Sequence, residues 1–172
     1  MSQQSENVCH RSKFQQLFEQ HAEDLYKFLY YKYGSENNPA DLVQEAFTKL
    51  WNNCKSVPPE KAKSFLFTVA NNLALNELDK KKTALKYKGA NMVSMETNES
   101  PEFILEEKEY MNRLQNALAS LSEAQRVAFM LNRVEGKRHK EIAEMLGISR
   151  KAVEKRIYTA LAVLKEKMGG KI

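Results

Sequence analysis

The sequence predicts an all-α protein: two small helical domains joined by a flexible linker, the second ending in a helix-turn-helix. Three observations carry this expectation. Apolar residues recur at i, i+3 and i+4 through most of the 172 residues. Only 6 glycines and 4 prolines occur, too few for a turn-rich β fold. No alternating apolar run is long enough to define a strand, and no internal repeat is present.

Phe14, Leu17, Phe18, His21, Leu25, Phe28 and Leu29 form the stripe of a first helix that ends near Gly34. A second helix starts with Asn38 as cap, Pro39 at the first helical position and Asp41 in the first turn. Its stripe is Val43, Ala46, Phe47, Leu50 and Trp51, and the large apolar Trp51 is expected in the core. Pro58 and Pro59 then break the chain. A third helix carries Phe65, Leu66, Val69, Ala70 and Leu73 and runs into Lys80, Lys81 and Lys82. These elements make a first domain over 10–83.

Residues 84–101 read as the linker, with weak periodicity, Gly89 and Pro101. The second domain, 102–170, opens with a helix bearing Ile104, Leu105, Met111, Leu114, Leu118 and Leu121. Ser122 to Gln125 is an S-x-x-Q capping box for the next helix, whose apolar residues are Val127, Ala128, Leu131 and Val134. Gly136 ends it. A short helix from about Lys137 to Leu146 stops at Gly147. Ser149 caps the last helix, which carries Ala152, Val153, Ile157, Ala160, Leu161 and Leu164. Each domain, at about 70 residues or fewer, has a marginal core alone, so docking on a partner would add stability.

A 42% hydrophobic and 28% charged composition excludes wholesale disorder. The net charge of +5 is mild, but it is unevenly placed. Residues 55–90 hold 8 basic and 3 acidic side chains, and residues 136–172 hold 10 and 4. Two separated basic blocks suit a nucleic-acid partner. Met1 to Ser12 is polar and lacks the apolar stretch of a signal peptide, and no run approaches a spanning helix. A cytoplasmic protein without membrane insertion is expected. Cys9 and Cys54 form no CxxC pair, and His10, His21 and His139 do not fall at zinc-finger spacings. Reduced thiols are the simplest reading, with no metal and no cofactor. Neither HExxH nor a P-loop nor GxGxxG is present, so no catalytic residues are assigned and an enzyme is not expected.

The most informative stretch runs from His139 to Ile157. Ile142, Ala143 and Leu146 face inward, Gly147 supplies a left-handed turn, and Ile148 plugs the space between helices. Val153 and Ile157 face inward on the second helix, leaving Arg150, Lys151, Glu154, Lys155 and Thr159 outside. Such a helix can enter a major groove, where Arg and Lys read guanine or hold phosphate and Glu accepts from cytosine. Ser149 can donate to phosphate as well as cap. The plainer reading is a helical hairpin with a solvated basic face.

In the first domain, Asp41, Gln44, Glu45 and Thr48 cluster opposite the apolar stripe of the second helix. This acidic–polar face fits simple solvation or protein docking. Asn72 and Asn76 fall at the edge of, or inside, the third helix's stripe, where an unpaired amide costs on the order of 1–3 kcal/mol. They are either satisfied locally or line a pocket. Phe65 and Phe67, beside the Lys80, Lys81, Lys82, Lys86 and Lys88 track, suit single-stranded nucleic acid, or core packing with a solvated lysine run.

Together these motifs resemble the extracytoplasmic-function (ECF) group of bacterial sigma factors in the sigma-70 family, from about Phe14 to Met168. Asp41-Leu-Val-Gln-Glu-Ala-Phe-Thr-Lys-Leu-Trp51 is similar to the family's polymerase-binding helix, and Phe65 to Asn76 to its promoter-melting helix. Leu118 to Arg126 and Ile142 to Arg156 are similar to the domain that reads the upstream element. The resemblance implies that Asp41, Gln44, Glu45 and Thr48 face core RNA polymerase. It implies that Phe65, Asn72, Lys80, Lys81 and Lys82 meet a single-stranded −10 element. A base flipped from that element would sit between the Cys54–Ala62 loop and the third helix. Ser149, Arg150, Lys151, Glu154, Lys155 and Arg156 would meet a duplex −35 element. Glu96 and Glu99 would mimic nucleic-acid charge in the polymerase cleft. An anti-sigma factor is a further implied partner. The chain departs from the family pattern at Phe65 (often Trp), at Asn38 (often acidic), at Glu77 and Asp79 (often basic), and in carrying Glu154 on its reading helix. The competing reading is a stand-alone helix-turn-helix regulator with an N-terminal dimerisation or sensing domain. That reading predicts tight duplex binding without polymerase and a palindromic site.

Overall fold

A 23-residue helix, α1 (Arg11–Tyr33), forms the spine of the first half and buries Leu17, Leu25, Phe28 and Leu29. The computed structural model describes residues 7–85 and 103–170. Gly34 ends α1 at φ +83°, and its N–H returns to the Tyr30 carbonyl at 2.8 Å. α2 (Pro39–Asn52) buries Leu42, Val43, Ala46, Phe47 and Leu50. Asn38 occupies the cap position, but at φ +48° its side chain makes no capping bond. Pro39 at the first position, which lacks an N–H, reduces the need for one.

Trp51 is not in the core. It is 45% exposed and lies edge-on to Phe14, with ring centroids 5.1 Å apart. One residue past Leu50 is a 100° turn off the buried stripe, and only the start of α1 reaches it. A 3₁₀ turn (Pro59–Lys61) then leads into α3 (Ala62–Leu85). α3 buries Ala62, Leu66, Phe67, Ala70 and Ala74, and leaves Phe65, Val69 and Leu73 half-buried. Its buried stripe is thus rotated from the predicted one. The stretch read as a linker begins inside α3. Residues 86–101 of it, with Lys86, Lys88, Glu96 and Glu99, lie outside the described residues.

The thiols are not free. Cys9 and Cys54 form a disulfide that ties the segment before α1 to the α2–α3 loop, with Val8 fully buried beside it. The sequence separation of 45 hides this pairing, because it follows from antiparallel packing rather than from spacing.

In the second half, α4 (Phe103–Ser120) packs through its last turns, with Ala117 buried and Leu114 and Leu118 half-buried. Leu105 and Met111, predicted on the inner face, are exposed. α5 (Glu123–Arg133) opens with both bonds of the Ser122/Gln125 capping box in place. α6 (His139–Leu146) buries Ile142 and Met145, and Gly147 ends it at φ +65°. The Ser149 hydroxyl accepts from the Ala152 N–H at 3.1 Å and starts α7 (Arg150–Lys167), which buries Val153, Ile157, Ala160 and Leu164. No strand occurs among the described residues, and no helix there is long and apolar enough to cross a membrane.

The two halves pack on each other, α1 against α5 and α3 against α6. One buried apolar cluster runs from Val8 through α1, α2 and α3 into Val127, Leu131, Ile142, Met145, Val153 and Ile157. A second joins Ala117 and Leu121 to Ala160, Leu164 and Met168. The marginal core expected of each half is met by the other half.

Closing a loop of this length by a crosslink stabilises by about 4 kcal/mol in the chain-entropy picture. Cys9→Ser is therefore expected to lower unfolding free energy by about 3–4 kcal/mol in urea titrations. The wild type in dithiothreitol should match it, and a reductant-insensitive midpoint would show that the thiols are unpaired.

Candidate functional site

Three surfaces carry the residues singled out above. On α2, Asp41, Gln44, Glu45 and Thr48 are all exposed, opposite the buried Val43, Ala46, Phe47 and Leu50. The Thr48 hydroxyl donates to the Gln44 carbonyl at 2.9 Å, so it is turned back on its own helix. Asp41 lies in the first turn, where a carboxylate complements the helix dipole.

On α3, a cavity of about 360 Å³ is lined by Ser56, Val57, Pro58, Lys61, Ser64, Phe65, Thr68 and Val69. The α2–α3 loop forms one wall and the first turns of α3 the other. Its walls are apolar and aromatic, with hydroxyls and one lysine among the lining residues, the chemistry of a pocket for a planar base. Asn72 is exposed and lies one turn beyond Thr68, past the cavity lining. Asn76 is exposed too. Neither is in the apolar stripe. The half-buried amide is Asn71, which accepts from Lys32 Nζ at 2.7 Å and from the Tyr33 hydroxyl. Burial pushes the Tyr33 hydroxyl up to about 12.

The lysine cluster is split. Lys81 donates to the Glu36 carbonyl at 2.8 Å and to Asn37 Oδ1 at 2.9 Å, which anchors it to the turn before α2. Lys80 pairs with Glu77 at 3.4 Å on the helix surface, and Lys82 is exposed. Lys81 thus stands beside Asp41 and Glu45, lining a small cavity with them, rather than on an open basic track.

On α7, Arg150, Lys151 and Lys155 are exposed. Glu154 is half-exposed and lies 3.5 Å from His139 Nδ1 of α6, and Arg156 is half-buried. A second cavity, about 460 Å³, gathers Lys137, Arg138, His139, Lys140 and Arg150 with Asn132 and Gly136. Sequence reasoning missed Lys137, Arg138 and Lys140 as a group. Their signal is the run Lys137-Arg-His-Lys140 directly before α6. The Arg138 N–H donates to the Glu141 carboxylate at 2.7 Å, which with neighbouring cations holds that carboxyl below its ordinary range. Ser64 and Thr68 were missed as well; both share a face with Phe65 and Asn72 at helical spacing.

The seam between halves is ionic as well as apolar. Glu135 has 13% of its side chain exposed, and accepts from Lys27 at 2.5 Å and from the Tyr31 hydroxyl. Those two donors depress the Glu135 carboxyl. Burial, aided by Glu135, raises the Tyr31 hydroxyl to about 12. Lys137 pairs with Asp24 at 2.7 Å, Lys32 with Glu123 at 3.5 Å and Lys63 with Glu144 at 3.6 Å. Arg126 donates to the Tyr31 carbonyl at 3.3 Å.

Comparison with known proteins follows the same two halves. A model of Sigma-70 region 2 matches residues 17–83, and a model of Sigma-70, region 4 matches residues 111–164. ECF RNA polymerase sigma factor SigE of Mycolicibacterium smegmatis is 27% identical over 155 residues, covering 88% of this chain and 60% of its own. The chain therefore spans three fifths of the length of that relative. ECF RNA polymerase sigma factor SigX of Bacillus subtilis is 24% identical over 162 residues, covering 90% and 83%. In fold, the chain is similar to CnrH in its complex with the cytosolic domain of CnrY. That match has a TM-score of 0.55 at 22% identity, over 95% of this chain and 92% of that one.

The seam sets an acid dependence. A carboxyl depressed in the folded state adds stability above its ordinary range and loses it as pH falls through the depressed value. Stability is therefore expected to fall as pH drops below the ordinary carboxylate range. Glu135→Gln should flatten that slope, leaving the contributions of Glu23 and Glu141, which carry the same sign. Denaturant titrations across the range read this, and an unchanged slope would contradict the role of Glu135.

Proposed function

Since the chain belongs to the sigma-70 family, in its ECF group, we propose that it is a transcription initiation factor. In this role it binds core RNA polymerase, recognises a −35/−10 promoter and assists melting, with no catalysis of its own. Residues 10–83 serve as region 2 and residues 102–170 as region 4. Its place of action is the cytoplasm, with the polymerase.

The observation that carries the reading is the apolar cavity beside Phe65, on the same α3 face as Asn72. A stand-alone regulator that reads only duplex DNA has no use for such a pocket. Promoter melting does: extracting a base costs a few kcal/mol of lost stacking and pairing, and a pocket and stacking surface offset that cost. Phe65 forms the aromatic wall, Asn72 meets the strand beyond it, and Lys80 and Lys82 neutralise its phosphates. Lys81, bound to the turn before α2, has a structural share in that cluster.

Asp41, Gln44 and Glu45 supply the acidic surface for the polymerase, with Thr48 at its edge. α7 reads the −35 duplex through Arg150, Lys151 and Lys155, oriented by the Ser149 cap, while Glu154 and Arg156 flank them. Lys137, Arg138 and Lys140 extend this basic surface toward the phosphates. An anti-sigma partner would act by covering the acidic α2 face and the basic α7 face.

Run-off transcription with purified core polymerase on a genomic fragment library tests the reading. Promoter-specific transcripts are expected only when chain and core are both present. Tight binding of a palindromic duplex without core would instead favour the stand-alone regulator. The double variant Asp41→Lys/Glu45→Lys should lose core binding in pull-downs while keeping its helical circular dichroism. Asn72→Ala should reduce permanganate reactivity of the −10 strand more than −35 binding. Lys155→Ala should weaken −35 binding by about 1–3 kcal/mol if it contacts a base.

A further inference from the structure

We propose that Cys9 and Cys54 are a redox site whose disulfide sets one wall of the cavity beside Phe65, so that the chain engages a −10 strand when oxidised and loses that grip when reduced. The effect on the strand rests on the reading above; the coupling of bridge to cavity does not.

The bridge sits where it can act on the cavity. Cys54 lies in the loop between α2 and α3, and Ser56, Val57 and Pro58, just beyond it, line the cavity. The opposite wall, Phe65, Thr68 and Val69, belongs to α3, which Leu66 and Ala70 fix in the core. That wall does not depend on the bridge. The loop wall has less to hold it. The Val57 N–H closes a turn on the Asn53 carbonyl at 3.1 Å, and the Val57 side chain is buried. Pro58 and Pro59 have no N–H to tie the loop further. The covalent tie runs from Cys54 to Cys9, in a segment that the fully buried Val8 anchors ahead of α1. A wall held in its binding shape binds better than one that must be ordered by the ligand.

The chemistry of the pair suits exchange. Both cysteines are half-buried rather than enclosed, which leaves the bridge open to reagents. Cys9 stands just before the N-terminus of α1, and Lys55 follows Cys54. A helix N-terminus and a neighbouring cation favour the thiolate, the reactive form of the reduced pair. A dithiol reductant opens the bridge by attack of one thiolate on one sulfur, which forms a mixed disulfide and breaks the S–S bond. The second thiol of the reductant then displaces that cysteine, leaving two cysteine thiols and the reductant's own disulfide. Hydrogen peroxide drives the reverse. It oxidises one cysteine to a sulfenic acid with release of one water, and the other thiol displaces the oxygen as a second water to form the S–S bond. In a reducing cytoplasm such a bridge persists only transiently, which suits a sensor rather than a permanent staple.

Trp51 makes the coupling measurable. It is the sole tryptophan of the chain, lies close before Cys54, and contacts Phe14, shortly after Cys9. In the full wild-type chain, dithiothreitol is expected to raise acrylamide quenching of Trp51 about twofold, from 45% exposed toward full exposure, while the helical circular dichroism persists. Cys9→Ser and Cys54→Ser should show the raised quenching with or without reductant. Thiol alkylation read by mass spectrometry should find the pair passing from thiols to disulfide across glutathione buffers from reducing to oxidising. Unchanged quenching, loss of the helical signal on reduction, or a pair bridged in every buffer would each overturn the redox site. Run-off transcription on genomic fragments, with the chain reduced and desalted before untreated core is added, should fall about tenfold. Treating the reduced chain with peroxide should restore it in wild type and not in Cys9→Ser. Equal transcription from oxidised and reduced chain would overturn control of the strand. A failure of the functional reading looks different: neither form would support transcription, while the Trp51 and alkylation results would stand.

Discussion

Glu135 stands two residues past the end of α5, half-buried, and accepts from Lys27 and Tyr31 of the other half. A carboxylate so placed costs several kcal/mol of lost hydration unless it is paired. Here it is paired twice, and both partners come from α1. The pairing joins the segment after α5 to α1 within the same seam where α6 meets α3. A half-buried ion pair of this kind adds little net stability, because lost hydration offsets much of the attraction. The apolar cluster around it supplies the attraction.

The same joint explains how two small domains are stable. Neither half has a large core. Leu131, Ile142 and Met145 complete one buried cluster with Leu25, Leu29 and Leu66 across the chain. At the far end of the first half, the Cys9–Cys54 bridge, Val8 and the Phe14–Trp51 edge contact close the helices. Packing and crosslink thus act at opposite ends of α1.

This places the chemistry at edges. The cavity beside Phe65 opens between a loop held by the disulfide and a helix held by the core. The basic cavity on the other half forms where α5 ends, α6 begins and α7 starts. Both lie at helix termini, where side chains diverge from the packed faces. Lys137 and the Ser64/Thr68 face each take part in the seam as well as in a candidate nucleic-acid surface.

The sequence by itself determined the helices, the Ser122/Gln125 box, the Gly147 turn, the Ser149 cap and the exposed faces of α2 and α7. These depend on local spacing and on groups within four residues of each other. It also carried the family, since motif order survives without coordinates. Only the tertiary structure decided that Cys9 pairs with Cys54, that Trp51 is edge-exposed, that Asn71 rather than Asn72 is the half-buried amide, and that Lys81 anchors a turn. It alone brought Glu135 to Lys27 and Lys137 to Asp24. Each of those outcomes depends on a neighbour tens of residues away or on a helix's rotation about its axis. Periodicity fixes which residues share a face, but packing partners fix where that face points.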